Sequence, residues 1–512
     1  MARSPNILMV LADQHNASLM GCAGHAQALT PHLDDFAASG TRFTEAHCQN
    51  PICTPSRVSI LSGQYCHNHG YYGLSGPSNA GLDNLFRHAR SHGYRTAGFG
   101  KLHLPTSPAN WIAEDVDVFG DAYETADGVV GDSDFLRHLE KAGLRHLEDS
   151  WHNAHHYGSG TISHDARPSE LPYEHTLEHW CADRAIEFMD ADREQPFCIQ
   201  VAFQKPHHPL LPQQRFWDLY DEDLELPPTI DHPPDGRPPH FQQMWHNFHD
   251  RKWDYDDDFG GGTRGGMRRA WRGTLACISQ IDDVFGRLLA HLDASGLAQD
   301  TIVIYGSDHG AYHGIHGIEE KAPGICSDAV CRVPMIWRVP GRTAPGAVCE
   351  QLVENIDMLP TLSALCGMSD FAAADGHDLS RLLDGEDTPV RESAVTENVL
   401  SKALRWDRWR LVHYDRQLFG GEDVGELYDM AADPDECRNL YHDPEHSDVV
   451  HEGRRRLMEW LARTTRVVTA QPTVGDHPAR GEAGRRTHPV CTDGRAPNHA
   501  QPRHHDYGIN YL

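Results

Sequence analysis

At 512 residues, with 39% hydrophobic and 23% charged content, the chain has the composition of an ordinary globular protein, long enough for one large α/β domain and a smaller companion. A formal net charge of −29 disfavours nucleic acid and anionic membranes as partners, so an anionic substrate needs a local positive site. Thirteen cysteines with no C-x-x-C pair argue against a disulfide framework or a structural zinc site.

The first apolar run, N-I-L-M-V-L-A at 6–12, is too short for a membrane span. It lacks a small-residue cleavage site and runs into Asp13-Gln14. It reads as a buried strand, and the chain as cytoplasmic. N-P-I-C-T-P-S-R follows at 50–57, with Cys53 just before the helical stretch V-S-I-L-S-G-Q. A helix is expected at 82–92, then a strand at 95–100 ending in Lys101-Leu102-His103.

Residues 104–174 and 222–272 are rich in Gly, Pro, His, Trp and Asp, with little periodicity, and read as lids, pocket walls or surface excursions. W-H-N-A-H-H-Y-G at 151–158 reads as a solvated histidine-rich loop. A helix at 175–190 precedes a strand at 197–203 and then Gln204-Lys205-Pro206-His207-His208-Pro209. The helix at 274–294 has apolar residues at helical spacing (Leu275, Ile278, Ile281, Phe285, Leu288, Leu292) and stops at Ser295-Gly296. It feeds a strand at 301–307 that ends in Asp308-His309-Gly310. A further strand is expected at 333–339 and a helix at 356–365.

This alternation predicts a large, mostly parallel sheet sandwiched by helices over residues 1–370. Antiparallel strands and a helix near 448–464 predict a smaller α+β subdomain at 371–465. The Pro-, Arg- and His-rich tail at 466–512 would be ordered by docking on the body or on another subunit, leaving an oligomer open.

Ligands in parallel α/β sheets bind beyond the carboxyl ends of strands. Four predicted strands end in Asp13-Gln14, Lys101-x-His103, Lys205-x-His207 and Asp308-His309. Asp13, Gln14 and Asp308 are oxygen donors that suit Ca²⁺ or Mg²⁺, and His309 keeps Mn²⁺ or Zn²⁺ open. Either aspartate alone reads more simply as a helix cap. Together with Lys101, His103, Lys205, His207 and Lys321, they make a cationic ring around a metal, suited to a tetrahedral oxyanion. Cys53 at a helix N-terminus is then either a thiolate nucleophile or the precursor of an oxygen function that suits a hard metal better than sulfur does. His313 and His316 read as loop residues beside the site, and Trp111, Tyr71 and Tyr72 as candidate substrate contacts.

C-T-P-S-R resembles the C-x-P-S-R signature of type I sulfatases, within the alkaline-phosphatase-like superfamily. G-F-G-K-L-H, Q-K-P-H-H-P, T-I-V-I-Y-G-S-D-H-G, Lys321 with R-V-P-M-I-W, N-I-D-M-L-P-T-L and E-L-Y-D-M-A-A-D-P-D-E-C-R-N-L resemble further family segments. They occur in the family's order between about residues 5 and 445. The resemblance implies a sulfuric ester hydrolase acting on a small organic, aryl or sugar sulfate. It implies Cys53 converted to Cα-formylglycine (3-oxoalanine) by a formylglycine-generating enzyme, and Ca²⁺ held by Asp13, Gln14, Asp308, His309 and modified Cys53. Arg57 would steady the formylglycine and the carboxylates, and Lys101, Lys321 and Lys205 would bind sulfate oxygens. His103 would contact the hydrated aldehyde, and His207, which directly follows the proline, would face the leaving group. Gln14 and His309 depart from the commoner Asp and Asn and are similar to choline sulfatases and phosphonate monoester hydrolases, so phosphonate monoester or phosphodiester hydrolysis stands as the alternative. The Lys101-x-His103 pair favours sulfate.

Overall fold

The run of apolar residues at 6–12 becomes the middle of an eight-stranded sheet, Asn6–Asp13 (β1), with every residue buried. The computed structural model describes residues 4–466 apart from 75–80, 106–110, 123–132, 149–165, 251–261, 319–320, 322–324, 370 and 372–373. The histidine-rich loop at 151–158 and the tail from 467 onward lie outside the described residues.

The other strands of this sheet are Thr41–His47 (β2), Arg95–Gly100 (β3), Val118–Asp121 (β4), Phe197–Pro206 (β5), Thr301–Ser307 (β6), Met335–Arg338 (β7) and Ala347–Glu354 (β8), in the order β4-β3-β5-β1-β6-β7-β2-β8. All run parallel except β7, which is antiparallel to both β6 and β2. This is the expected class, an α/β fold with a mostly parallel central sheet.

Side chains on β1 alternate between two cores, as a strand requires. Ile7, Met9 and Leu11 pack with Val58, Ile60 and Leu61 of helix Cys53–Ser62 (α1). Leu8, Val10 and Ala12 pack with Trp180 and Ala185 of helix Leu177–Ala191 (α2), and with Ile281, Phe285 and Leu288 of helix Gly262–Ala294 (α3). Helix Met358–Cys366 (α4) joins α1 on the first face. The sheet is therefore covered on both sides.

Three strands were not anticipated. β2, T-R-F-T-E-A-H, mixes charged and apolar residues, and its pattern is only partly buried. β4, together with helix Asp134–Ala142, lies in the 104–174 segment, which is therefore more regular than its composition implied. β8 follows Gly346. The 222–272 segment likewise contributes helix Pro239–Asp250 and the first turns of α3. That start is glycine-rich and weakly helical by propensity, but Met267, Ala270 and Trp271 are buried, so packing overrides propensity.

Beyond the main sheet, Ala394–Glu397 (β9), Ser401–Trp406 (β10), Trp409–Tyr414 (β11) and Gly425–Asp429 (β12) form an antiparallel sheet in the order β12-β11-β10-β9. Helix Ser447–Thr464 (α5) lays Val450, Leu457 and Trp460 over Leu404, Trp406, Leu411 and Leu427. The backbone N–H of Glu397 donates to the Gln49 carbonyl at 2.8 Å, tying this sheet to the segment that leads into α1. Among the described residues no helix is long and apolar enough to cross a membrane.

Parallel pairing of β3, β5, β1 and β6 brings their carboxyl ends to one edge. Gly100, the last residue of β3, has φ +99°, and a Cβ there would lie 2.1 Å from the Ala202 carbonyl oxygen of β5. Only glycine relieves both constraints. Gly100→Ala should lower unfolding free energy by about 2 kcal/mol or more, through backbone strain and overpacking, as measured by urea denaturation.

Candidate active site

Cys53 opens α1, a helix whose ten residues are all buried, so the side chain is projected from a fixed backbone. Its Sγ lies 3.2 Å from His309 Nε2 and 3.7 Å from Asp13 Oδ1. Asp13 ends β1, and Asp308 and His309 follow β6. Potential ligand atoms of Asp13, Cys53, Asp308 and His309 all lie within 4.8 Å of one another. Register explains the meeting, because Ala12 pairs with Ser307, which makes Asp13 and Asp308 neighbours across adjacent strands.

One turn into α1, Arg57 reaches both carboxylates. Nε donates to Asp308 Oδ2 at 2.8 Å, Nη2 donates to Asp13 Oδ2 at 3.1 Å, and Nη1 donates to the Lys101 carbonyl. Lys101, just beyond β3, places its Nζ 2.7 Å from Asp13 Oδ2. Gln14 adopts φ +69°, its N–H donates to Asp308 Oδ1 at 3.3 Å, and its Oε1 accepts from Lys321 Nζ. The segment after β6 thus returns a cation to the end of β1.

The charges set one another's protonation. Burial alone would raise Asp13, but Lys101, His207, Arg57 and Lys321 outweigh it and hold the carboxylate well below its usual range. Asp308 goes the other way, because burial outweighs Arg57 and Asp13 adds repulsion. Burial and Asp13 work to raise the Cys53 thiol, yet Lys321, Lys101 and His309 bring it well below the ordinary thiol range. Burial lowers His309, but Asp308 more than compensates and its pKa is raised.

These residues fit a divalent cation. His309 Nδ1 lies 2.8 Å from the Gly310 carbonyl and must donate to it, so in the neutral ring Nε2 turns its lone pair toward Asp13, Asp308 and Cys53. Two carboxylates and an imidazole make a hard to borderline donor set, in which a cysteine sulfur is the odd member.

The remaining candidates divide. His207 follows β5 and, like Lys101 and Lys321, lies within electrostatic reach of Asp13. His103 shares the Lys101 turn with φ +45°, and its Nδ1 is buried without a hydrogen-bond partner among the described residues. Lys205 is engaged by Glu178 of α2, with its Nζ 3.1 Å from Oε2, and this partner keeps its pKa raised against burial. His313 Nε2 lies 3.0 Å from the Gln14 carbonyl, and His316 turns to Arg237 at 3.1 Å. Trp111 and Tyr71 are buried in the core beside α1, and Trp111 Nε1 donates to the Leu82 carbonyl. Tyr72 donates to Glu397 at 3.1 Å.

Sequence reasoning missed the supports. Ser56 Oγ donates to the Asp308 carbonyl at 2.5 Å, and Asn355 Nδ2 donates to the Ser307 carbonyl at 3.0 Å. Ser56 lay inside C-T-P-S-R and Asn355 opened N-I-D-M-L-P-T-L, so position in the motif was the available signal. Glu178 carried none.

A profile of the sulfatase family matches residues 5–368. The chain belongs to the sulfatase family. A second profile, the C-terminal region of N-sulphoglucosamine sulphohydrolase, matches 316–463, which includes the small sheet and all but the last residue of α5. A choline-sulfatase of Rhizobium meliloti is 28% identical over 454 residues, covering 86% of this chain and 83% of the relative. A sulfatase of Formosa agariphila is 27% identical over 457 residues, covering 85% and 82%. A phosphonate monoester hydrolase structure from Silicibacter pomeroyi superposes with a TM-score of 0.74 at 23% identity, covering 90% of this chain and 96% of that one. The family and its named sulfatases make this chain a sulfuric ester hydrolase.

Arg57→Met should destabilise the metal-free protein by about 3–5 kcal/mol in denaturant unfolding, because two buried carboxylates lose their shared counter-charge. Saturating Ca²⁺, Mg²⁺ or Mn²⁺ should raise the thermal unfolding midpoint. At one hundred times Kd the added stability is about 2.7 kcal/mol, and Asp308→Asn should remove most of the rise.

Proposed function

We propose that this sulfatase hydrolyses the sulfate monoester of a small organic alcohol, aryl group or sugar, with a formylglycine made from Cys53 as nucleophile. The observation that carries the reading is the placing of Cys53, head-on to Asp13 and His309 at a buried helix N-terminus. A soft thiol fits that surrounding poorly, and an oxygen in its place fits well. A formylglycine-generating enzyme would be the maturation partner.

Asp13, Gln14, Asp308 and His309, with the oxygen of converted Cys53, would hold Ca²⁺, and Mg²⁺ or Mn²⁺ suits the same set. When bound, the cation supplies positive charge to sulfuryl oxygens and acidity to the nucleophile. Arg57 keeps the two carboxylates apart and oriented. Lys101 and Lys321 meet the charge on the sulfate oxygens. The hydrated aldehyde presents two hydroxyls. One, having lost its proton to solvent, attacks sulfur as the bond to the ester oxygen breaks, and His207 gives that oxygen a proton. His103 then takes the proton of the second hydroxyl, the carbonyl reforms, and the carbon–oxygen bond to sulfate breaks to release inorganic sulfate. Lys205 is left out of this scheme because its Nζ pairs with Glu178 of α2, away from the Asp13 and Asp308 cluster.

A net charge of −29 disfavours long polyanionic substrates, and the likeness to a choline-sulfatase keeps a cationic alcohol among the small candidates. Gln14 and His309 favour a second reading, phosphonate monoester or phosphodiester hydrolysis, because fewer anionic ligands leave a cation more electrophilic.

Matched 4-nitrophenyl esters separate the two. On mature protein, kcat/KM should be higher for the sulfate than for the phenylphosphonate, and the reverse order favours the second reading. Cys53→Ala should abolish both activities. Lys321→Ala should lower kcat for the sulfate by about 10²-fold, the usual loss of one charge-stabilising group.

A further inference from the structure

The loop after β5 carries two adjacent histidines, and the mechanism above uses one. His207 and His208 are 2% and 5% exposed, and their rings stack at a centroid separation of 4.3 Å with 28° between planes. His207 Nδ1 lies 2.7 Å from the His208 carbonyl oxygen. A carbonyl only accepts, so Nδ1 carries a proton in either charge state of the ring, and Nε2 is the nitrogen that exchanges one.

One residue therefore fixes the His207 ring twice. Its carbonyl sets the rotation of the ring in its own plane, and its ring blocks one face. Proton transfer to a leaving oxygen needs the donor within hydrogen-bond reach and well aligned, so a ring free to rock would spend less time in register. We propose that His208 is the positioning residue of His207, holding its Nε2 toward the ester oxygen. This rests on the reading of His207 as proton donor. The stacked ring is the part that substitution can test, because every residue at 208 keeps the carbonyl.

The chemistry supplies a readout that general packing would not move. Help with protonation matters most when the leaving oxygen is basic, so a phenyl or alkyl sulfate should depend on His207 far more than 4-nitrophenyl sulfate does. Mature enzyme carrying His207→Ala, His208→Ala, His208→Phe and the double alanine change is assayed on both ester types. His207→Ala should cost about 10²-fold on the poor leaving group and much less on the good one. His208→Ala should show the same selective loss at roughly tenfold, and the double variant should be no slower than His207→Ala alone, because the two residues act as one unit. His208→Phe, which keeps a stacking ring without a titratable nitrogen, should restore most of the rate on the poor leaving group. Should the alanine variant not fold, His208→Leu makes the same comparison with the apolar volume kept.

Equal losses on both esters, additivity with His207→Ala, or no rescue by phenylalanine would overturn the proposal. A larger selective loss in His208→Ala than in His207→Ala would overturn it by exchanging the two roles. An unselective His207→Ala removes the reading of His207 itself, whatever the His208 variants do.

Discussion

The site depends on one guanidinium shared between two carboxylates. Asp13 and Asp308 are fully buried, and the chain brings them side by side because β1 and β6 pair in parallel at Ala12 and Ser307. Two buried anions at that spacing are unstable unless a counter-charge is built in, and a monodentate partner would leave one of them uncompensated. Arg57 spans both, with its third donor on the Lys101 carbonyl. One side chain thus links the ends of β1, β6 and β3 to α1.

Arg57 is one helical turn from Cys53, so fixing the guanidinium also fixes the sulfur. The clamp that neutralises the carboxylates therefore aims residue 53 at them. Lys101 follows from Gly100, whose lack of a Cβ lets β3 end flush against β5. Lys321 is held by Gln14, and its charge helps to lower the Cys53 thiol. Lys205 pairs with Glu178 of α2. Lys321 and Lys101 both lower the Cys53 thiol, Lys101 while paired with Asp13, and Lys205 ties the end of β5 to α2.

Much of this was legible in the chain. Strands at 6–12, 197–203 and 301–307 were readable because buried parallel strands are nearly continuous apolar runs, and each, like 95–100, ended in residues costly to bury without a purpose. The edge that carries the candidate site followed from those endings. The reversed direction of β7 left no trace, because an apolar run reads the same either way. β2 was hidden by its charged residues. Trp111 and Tyr71 read as candidate substrate contacts, and their packing in the core beside α1 is a tertiary fact that composition cannot supply. The Glu178 partner of Lys205 comes from another element, and no motif announces such a pairing.

The central claim is that residue 53 acts as an oxygen nucleophile made from cysteine. The direct test is the mass of the tryptic peptide Phe43–Arg57 from active protein produced alongside a formylglycine-generating enzyme. Cys48 in the same peptide serves as an internal unmodified thiol, distinguished by fragmentation. The account predicts an aldehyde at residue 53 and an intact thiol at residue 48. A thiol at both positions, in protein whose sulfate-ester hydrolysis is lost on changing Cys53 to alanine, would contradict it and leave direct attack by the thiolate.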